Sequence, residues 1–277
     1  MDRRVAGQLV TPESDLRLAF IGWGAIARTV AGMIADDSVE IVAVAERDAT
    51  IHRPDLPTGA LLITEPHELA ATGAELVVEA ASRESVAPWG RAALETGADF
   101  IVSSVSAFAE PDVLSSLTEM ARRNRSQLHI QPGALGGVDA LAAARTLGID
   151  HVEHRIIKPP RAWLDTPAEN LCQLDELSEA VEFFTGTPAQ AASEFPKNAN
   201  VAMTTALAGI GTTATRITLV ADPDATTNRH EINASGAFGE LTVALSNKAL
   251  PDNPKTSALA ALNLVRAIRN RVSPLVI

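Results

Sequence analysis

Apolar and polar residues follow two different rhythms along this chain, and the change of rhythm divides it. From Leu16 to about Leu128, short apolar or β-branched runs (LRLAFIG at 16–22, VEIVAVAER at 39–47, LVVEAA at 76–81, FIVSS at 100–104) alternate with alanine-rich helical stretches, IARTVAGMIA at 26–35 and VAPWGRAALETG at 86–97. Uninterrupted apolar strands separated by helices predict a parallel sheet, because crossover helices cover both of its faces. From about Gly133 the pattern differs: a helix is expected within GALGGVDALAAART (133–146), strands at HVEHRIIK (151–158) and AVEFF (180–184), and a helix at NVAMTTALAG (200–209). Three further runs, TRITLVAD (215–222), HEINASG (230–236) and FGELTVALS (238–246), read as half-buried antiparallel strands of two-residue period. PKTSALAALNLVRAIRN (254–270) predicts an amphipathic helix with Arg266, Arg269 and Arg271 toward its C-terminus, where cations suit the dipole. The expected architecture is α/β: a loose tail at 1–15, a doubly wound parallel sheet at 16–132, an α+β mixed-sheet domain at 133–252, and a helix in 253–277 packing back on the first domain.

The junction between the first strand and the first helix, AFIGWGAIARTV at 19–30, carries the most specific local chemistry. A Rossmann-like dinucleotide fold needs one glycine for the tight turn, a second where the backbone approaches the pyrophosphate, and a small residue where helix packs on strand. Gly22, Gly24 and Ala27 fill those places, with Trp23 in a variable slot and Ala25 and Ile26 opening the helix whose N-terminus favours phosphate. A lone GxGxxA is a weak match, and a packing turn between strand and helix also produces it. Its setting strengthens it: Glu46 ends the next strand 22 positions beyond Gly24, near the ~20 expected for an acid that bonds a ribose 2′-hydroxyl and so favours NAD. Arg47 beside it leaves NADP open, since an arginine there can accept a 2′-phosphate. Ala80, Ala81 and Ser82 follow the expected fourth strand, and Ser103 and Ser104 the fifth. Ligands of open parallel sheets sit outside those carboxyl ends.

Composition narrows the function classes. The 277 residues carry a formal charge of −11, which repels nucleic acid and anionic lipid and requires a local cationic pocket for any anionic ligand. Cys172 is the only cysteine, which leaves no internal disulfide and no multi-cysteine zinc site, and suits a reducing, cytoplasmic compartment. No 18-residue apolar run and no signal-peptide pattern occurs, so no membrane partner is expected. His151 and His154 resemble a metal pair, yet positions three apart on a strand face opposite ways, so no metal is expected there.

Six runs, QPGALGGVDAL (131–141), KPP (158–160), EFPKNANVAMTTALAG (194–209), ADPDATTNRHEI (221–232), SGAFGEL (235–241) and NPKTSALAAL (253–262), resemble in that order the motifs of the L-aspartate dehydrogenase family. The resemblance runs from Leu16 onward. It implies a Rossmann domain, a second domain for substrate binding and dimerisation, and NAD(P)-dependent oxidative deamination of L-aspartate by a homodimer. The product, iminoaspartate, would hydrolyse to oxaloacetate and ammonia or feed NAD biosynthesis. Carried over by motif, cofactor contacts fall on Ala134 and Asn200 and the active-site histidine on His230. The chain departs from the family pattern at Pro132, where serine commonly stands, and around Ala237.

The residue types suit such chemistry independently. Removing a hydride from a Cα–N centre needs a group that takes a proton from nitrogen and later handles water, and histidine, with a free pKa of about 6.5, offers both forms. His230 stands at an expected loop-to-strand junction after DPDATTN, a place that also suits a surface histidine. A dicarboxylic amino acid needs cationic or amide contacts; Lys158, Lys197, Asn198, Asn253 and Lys255 lie within the motifs and are candidates, although each lysine also fits a solvated surface. Two other readings stand beside this one. One is a non-catalytic NAD-binding regulator. The other is a cyclic-imine reductase, because EHRIIK also resembles the acid–base stretch of dihydrodipicolinate reductases, with His154 as the rival catalyst; KPPRAWLD then departs from the PSGTA-type turn of that family.

Overall fold

The computed structural model describes residues 16–277 except 36, 49, 51–52 and 251–252, and leaves the side chains of residues 197, 254 and 255 undescribed. The tail expected at 1–15 lies outside the described residues. Six short strands, β1 (Leu16–Ile21), β2 (Val39–Ala45), β3 (Leu61–Ile63), β4 (Leu76–Glu79), β5 (Asp99–Val102) and β6 (Leu128–Ile130), form one parallel sheet in the order β3-β2-β1-β4-β5-β6. This is the Rossmann strand order, which reverses direction of growth between β1 and β4 and opens a crevice at that point. Ala19, Phe20, Val77, Val78, Phe100 and Ile101 are buried, as strands covered on both faces require.

Helices α1 (Ala25–Met33), α2 (Arg83–Glu95) and α3 (Pro111–Asn124) make the crossovers. α2 and α3 cover one face, where Val86, Leu94, Phe100 and Leu117 share a core. α1 covers the other with Ala27 and Val30.

The second sheet contains β7 (Ile149–Lys158), β8 (Val181–Gly186), β9 (Arg216–Ala221), β10 (Asn228–Gly236) and β11 (Gly239–Asn247), ordered β11-β10-β7-β9-β8. β10 pairs antiparallel with β7 and β11, and buried and half-buried positions alternate along it. β9 corrects the sequence reading: it runs parallel to β7 and antiparallel to β8, with Ile217 through Ala221 all buried. A central strand covered on both faces loses the alternation of a half-buried one. Helices α4 (Val138–Ala144), α5 (Pro188–Glu194) and α6 (Ala199–Ala208) join the two sheets. α6 is apolar or small on nearly every side, the mark of a helix with no solvent face: its Met203 enters the core of the first sheet and its Ala202 that of the second.

A two-stranded ribbon, β12 (Ala249–Leu250) with β13 (Asn253–Ser257), leads into α7 (Ala258–Val272). Ser257 caps α7 by accepting from Leu259 N–H, and Ala261, Leu264, Val265 and Ile268 pack with Leu18, Phe20 and Val30 of the first domain. Arg269 pairs with Asp37 at 2.9 Å, and Arg271 pairs with Asp99. No helix among the described residues is long and apolar enough to cross a membrane.

Leu264 is 1% exposed and Leu262 46%. Leu264→Ala is therefore expected to lower the unfolding free energy by about 2–5 kcal/mol in urea titration, whereas Leu262→Ala stays within about 0.5 kcal/mol of the parent.

Candidate active site

The crevice at the carboxyl ends of the parallel strands consists of two adjoining cavities. One, of about 370 Å³, is lined by Gly22, Trp23, Gly24, Glu46, Arg47 and Arg53 among others; the second, of about 280 Å³, is lined by Ile26, Ser103, Ser104, Gln131, Ala134 and Asn200. Ala80 and Ala81 line both, so the two form one elongated cleft.

The glycine turn explains the shape of the first cavity. Gly22 has φ +88, and a Cβ there would stand 2.7 Å from the Ala81 Cβ, so no larger residue fits. Gly24 caps α1, and a Cβ on it would meet nothing within 4 Å, which leaves the open space that a pyrophosphate needs above a helix N-terminus. Trp23 turns inward, with Nε1 donating to Asp55 at 3.2 Å and its ring edge-on to Phe20. Ala25 and Ala27 do not line the cleft. Ala27 is fully buried beneath it, where α1 packs on the sheet, so its small size serves helix packing.

Glu46 directly follows β2 and pairs with Arg53 at 2.9 Å, while Arg47 is exposed beside it. Ser82 lies at the N-cap of α2 and lines the same cavity.

The second cavity is held open by polar residues behind its wall. Glu79, fully buried at the end of β4, accepts from the backbone N–H of Ala81 (2.9 Å), Ser103 (3.1 Å) and Ser104 (2.8 Å) and from Ser104 Oγ (2.8 Å). Burial raises its pKa, and those donors oppose the rise. Asn200 Oδ1 accepts from Ser106 N–H at 2.9 Å. The Gly133–Leu135 turn is held from two sides, by Asn247 donating to Ala134 O (2.8 Å) and by Asn263 donating to Gly133 O (2.7 Å).

Three polar atoms of cleft residues, Arg53 Nε, Ser103 Oγ and Gln131 Oε1, are buried without a hydrogen-bond partner among the described residues. Groups of this kind are costly unless a ligand completes them. With the space over Gly24, they make the cleft a fit for a dinucleotide.

Against this cleft lies a buried histidine pair. His154 on β7 and His230 on β10 are 0% and 4% exposed, with His154 Nε2 and His230 Nδ1 3.1 Å apart. β7 and β10 pair antiparallel, and both rings leave the sheet on its inner face toward α6. His154 Nδ1 lies 2.9 Å from Thr205 Oγ1 of α6, and the neighbouring Thr204 and Val201 line the cleft. Burial drives the pKa of both histidines down, that of His154 well below its ordinary value and that of His230 to about 3, the latter helped by the positive charge of Lys158. Lys158 Nζ donates to the buried Asn198 Oδ1 at 2.5 Å and lies 5.0 Å from the centroid of Trp163. The histidines that the sequence offered as rivals are therefore hydrogen-bonded partners, and His151 is exposed away from them.

Asn253 donates to Thr256 Oγ1 at 3.0 Å, and Thr256 lines the second cavity, so the structure places Asn253 next to a residue of that wall. The side chains of Lys197 and Lys255 lie outside the described residues. Sequence reasoning missed Glu79, Gln131, Arg53 and Thr205. Only Glu79, an acid closing the apolar run LVVE, left a readable signal. No group of three or more His, Cys, Asp or Glu is placed to hold a metal ion among the described residues.

Family models match both parts of the chain: the NAD-binding domain of homoserine dehydrogenase over residues 22–131, and the C-terminal domain of aspartate dehydrogenase over 139–271. A Brucella anthropi protein named L-aspartate dehydrogenase is 56% identical over 94% of this chain and 98% of its own length. A Polaromonas protein of the same name is 42% identical over 95% of this chain and 100% of its own. The crystal structure of aspartate dehydrogenase from Thermotoga maritima shares the fold, with a TM-score of 0.78 at 24% identity, covering 95% of this chain and 99% of the other. A dihydrodipicolinate reductase from Paenisporosarcina sp. shares the fold more distantly, with a TM-score of 0.53 at 14% identity over 93% of this chain and 94% of the other.

The depressed histidines carry a pH signature. With a folded pKa near 3 for His230 and an unfolded value near 6.5, the unfolded chain binds the extra proton between those limits, so acid favours unfolding. Stability is fully present above about pH 6.5 and falls by up to about 1.4 kcal/mol per pH unit for each such histidine. Urea midpoints measured from pH 7 to about pH 4.5 are expected to drop accordingly, and His230→Asn is expected to flatten the slope.

Proposed function

The chain belongs to the L-aspartate dehydrogenase family, and from that premise we propose that it catalyses the NAD(P)-dependent oxidative deamination of L-aspartate. The product is iminoaspartate, which yields oxaloacetate and ammonia with water; the reverse is reductive amination of oxaloacetate. The observation that carries this reading is the buried His154–His230 pair, with Lys158 beside it, set directly behind the wall of the dinucleotide cleft.

A bound nicotinamide dinucleotide supplies the hydride acceptor. In this reading Gly22, Gly24 and the N-terminus of α1 hold its pyrophosphate, and Glu46 takes the ribose hydroxyls with Arg47 and Arg53 at hand. Ala81, Ala134, Asn200 and Gln131 surround its redox end, and Ser82 lines the pyrophosphate end. Residues 16–132 thus serve the cofactor and 133–252 chiefly the substrate, with Ala134 and Asn200 reaching the cofactor from the second domain and 253–277 bracing the cleft.

His230 is the acid–base residue. At neutral pH its imidazole is uncharged, the form that can take a proton from the substrate nitrogen and, once that proton has passed to solvent, one from the water that adds to the imine carbon. It is also the more open of the two rings, at 4% exposure against 0% for His154. Lys158 is the local cation for a substrate carboxylate in an otherwise acidic protein, oriented by Asn198. A carboxylate seated on that ammonium offsets its charge and so relieves the smaller of the two causes that depress the basicity of His230, the larger being burial.

Purified protein with NAD and L-aspartate is expected to produce reduced cofactor, followed by its absorbance. His230→Ala should lower kcat by about 10²–10⁴-fold with dinucleotide affinity unchanged. Lys158→Met should raise KM for aspartate by about tenfold or more, the cost of one charge-assisted contact. Dinucleotide binding without turnover on aspartate would make the protein a non-catalytic NAD-binding regulator instead. Full turnover by the His230 variant would remove that residue from the mechanism.

The same reading makes the protein a cytoplasmic homodimer, in keeping with its one free thiol, Cys172. Light scattering on an eluting peak is expected to give twice the 29.1 kDa of one chain; a single-chain mass would overturn the dimer.

A further inference from the structure

We propose that His154 and Thr205 are positioning residues that fix the tautomer of His230, so that its Nε2 carries the lone pair offered to the substrate. The inference rests on the reading of His230 as the acid–base residue. It follows from counting hydrogens along one buried chain of contacts.

Thr205 Oγ1 is 3.1 Å from the carbonyl of Val201, one turn earlier in α6, and 2.9 Å from His154 Nδ1. A hydroxyl has one hydrogen to give. Donated to the Val201 carbonyl, as threonines inside helices commonly do, it leaves Oγ1 as an acceptor, and the partner at His154 Nδ1 must then be an N–H. Burial keeps His154 neutral, so a proton on Nδ1 leaves its Nε2 bare. That bare nitrogen faces His230 Nδ1 at 3.1 Å, and the pair forms a hydrogen bond only if His230 donates. His230, neutral as well, then has no proton on Nε2.

The opposite assignment runs the chain backward. Thr205 would donate to His154 Nδ1, His154 Nε2–H to His230 Nδ1, and His230 would present an N–H where a base is required. Direction is set at the far end, by the Thr205 back-bond within α6. His154 touches neither cofactor nor substrate in this account: its ring is 0% exposed, with Thr205 against Nδ1 and His230 against Nε2. Its part is to accept one proton-bearing contact and hold the His230 ring plane, the second-sphere duty that carboxylates and carbonyls perform for catalytic histidines elsewhere.

The direct test needs no turnover. Nitrogen-15 NMR of histidine side chains distinguishes the two neutral tautomers, and His230→Asn identifies which ring signals belong to residue 230. In the parent protein His230 is expected to be protonated on Nδ1 and His154 on Nδ1. Thr205→Val removes the hydroxyl while keeping the shape; it is expected to shift both rings toward a mixture of tautomers and to lower kcat about 10–100-fold, with KM for aspartate within about twofold. Thr205→Ser restores the hydroxyl and is expected to restore both readouts, which a purely structural role would not require. Should Thr205→Val not fold, His154→Gln, which places an acceptor oxygen near the former Nε2 position, is expected to retain much more kcat than His154→Leu. A parent spectrum with His230 protonated on Nε2 overturns the proposal, as does a folded Thr205→Val variant with parental tautomers and kcat. Failure of the acid–base reading appears separately, as full turnover by His230→Ala.

Discussion

The cleft and the histidine pair both depend on the burial of one carboxylate. Glu79 draws the backbone N–H groups of Ala81, Ser103 and Ser104 onto itself, and thereby ties together the loops that leave β4 and β5. The first of those loops, through Ala80 and Ala81, lines both cavities, and the second, through Ser103 and Ser104, lines the second cavity. From Ser104 the chain turns through residues 105–109, where Ser106 N–H is accepted by Asn200, and Asn200 stands in the first turn of α6. Further along that helix, Thr205 meets His154, and His154 meets His230. An unbroken series of hydrogen bonds and one helix thus connects the cofactor end of the site to its acid–base end. A buried polar group left without partners costs about 1–3 kcal/mol, so each link favours one arrangement of the next.

α6 can serve as this connection because, beyond Asn200 in its first turn, it is almost wholly buried. Alanines and threonines let it lie between two sheets, and the hydroxyls of Thr204 and Thr205 both lie against carbonyls four residues earlier, at 2.9 Å and 3.1 Å. The same small residues bring Thr205 close enough to touch a ring on the second sheet. Electrostatics sharpens the site further. In a chain of net charge −11, Lys158 is placed against Asn198 and an indole face, where its charge acts on His230 through protein instead of water. Burial and that ammonium act together to keep His230 unprotonated.

Much of the fold was legible in the sequence because parallel strands covered on both faces announce themselves as continuous apolar runs, and the first domain is built from them. The glycine turn was legible for a related reason: Gly22 must hold a positive φ against Ala81, and only glycine does so without strain. β9 was misread because its antiparallel neighbour and its parallel one are indistinguishable in a single strand's pattern; pairing is a tertiary property. The histidine pair was invisible for the same reason. His154 and His230 are 76 residues apart, and nothing in HVEHR or NRHEI records that β10 lies beside β7 in the register that sets His230 against Ile156, two residue pairs away from His154 opposite Ile232. Gln131 and Thr205 left no signal, since their meaning lies in which neighbours they lack or touch.

The wall around the redox end of the cleft is assembled from remote parts of the chain, and this joins stability to function. Ser103 and Ser104 come from the first sheet, Asn200 and Thr204 from α6, and Thr256, Ser257 and Leu264 from the last ribbon and helix. Leu264 lines the cavity and also belongs to the core between α7 and β1. Asn263 beside it donates to the carbonyls of Gly133 and Leu135, so the turn carrying Ala134 is braced by the C-terminal helix. None of these segments holds its shape alone: the turn has no regular structure of its own, and α7 needs the apolar face of β1 to bury its own stripe. The cleft therefore forms only when both sheets and α7 have docked. A substitution that loosens α7 on the first sheet acts on Ala134 through Asn263, although neither residue takes part in proton transfer.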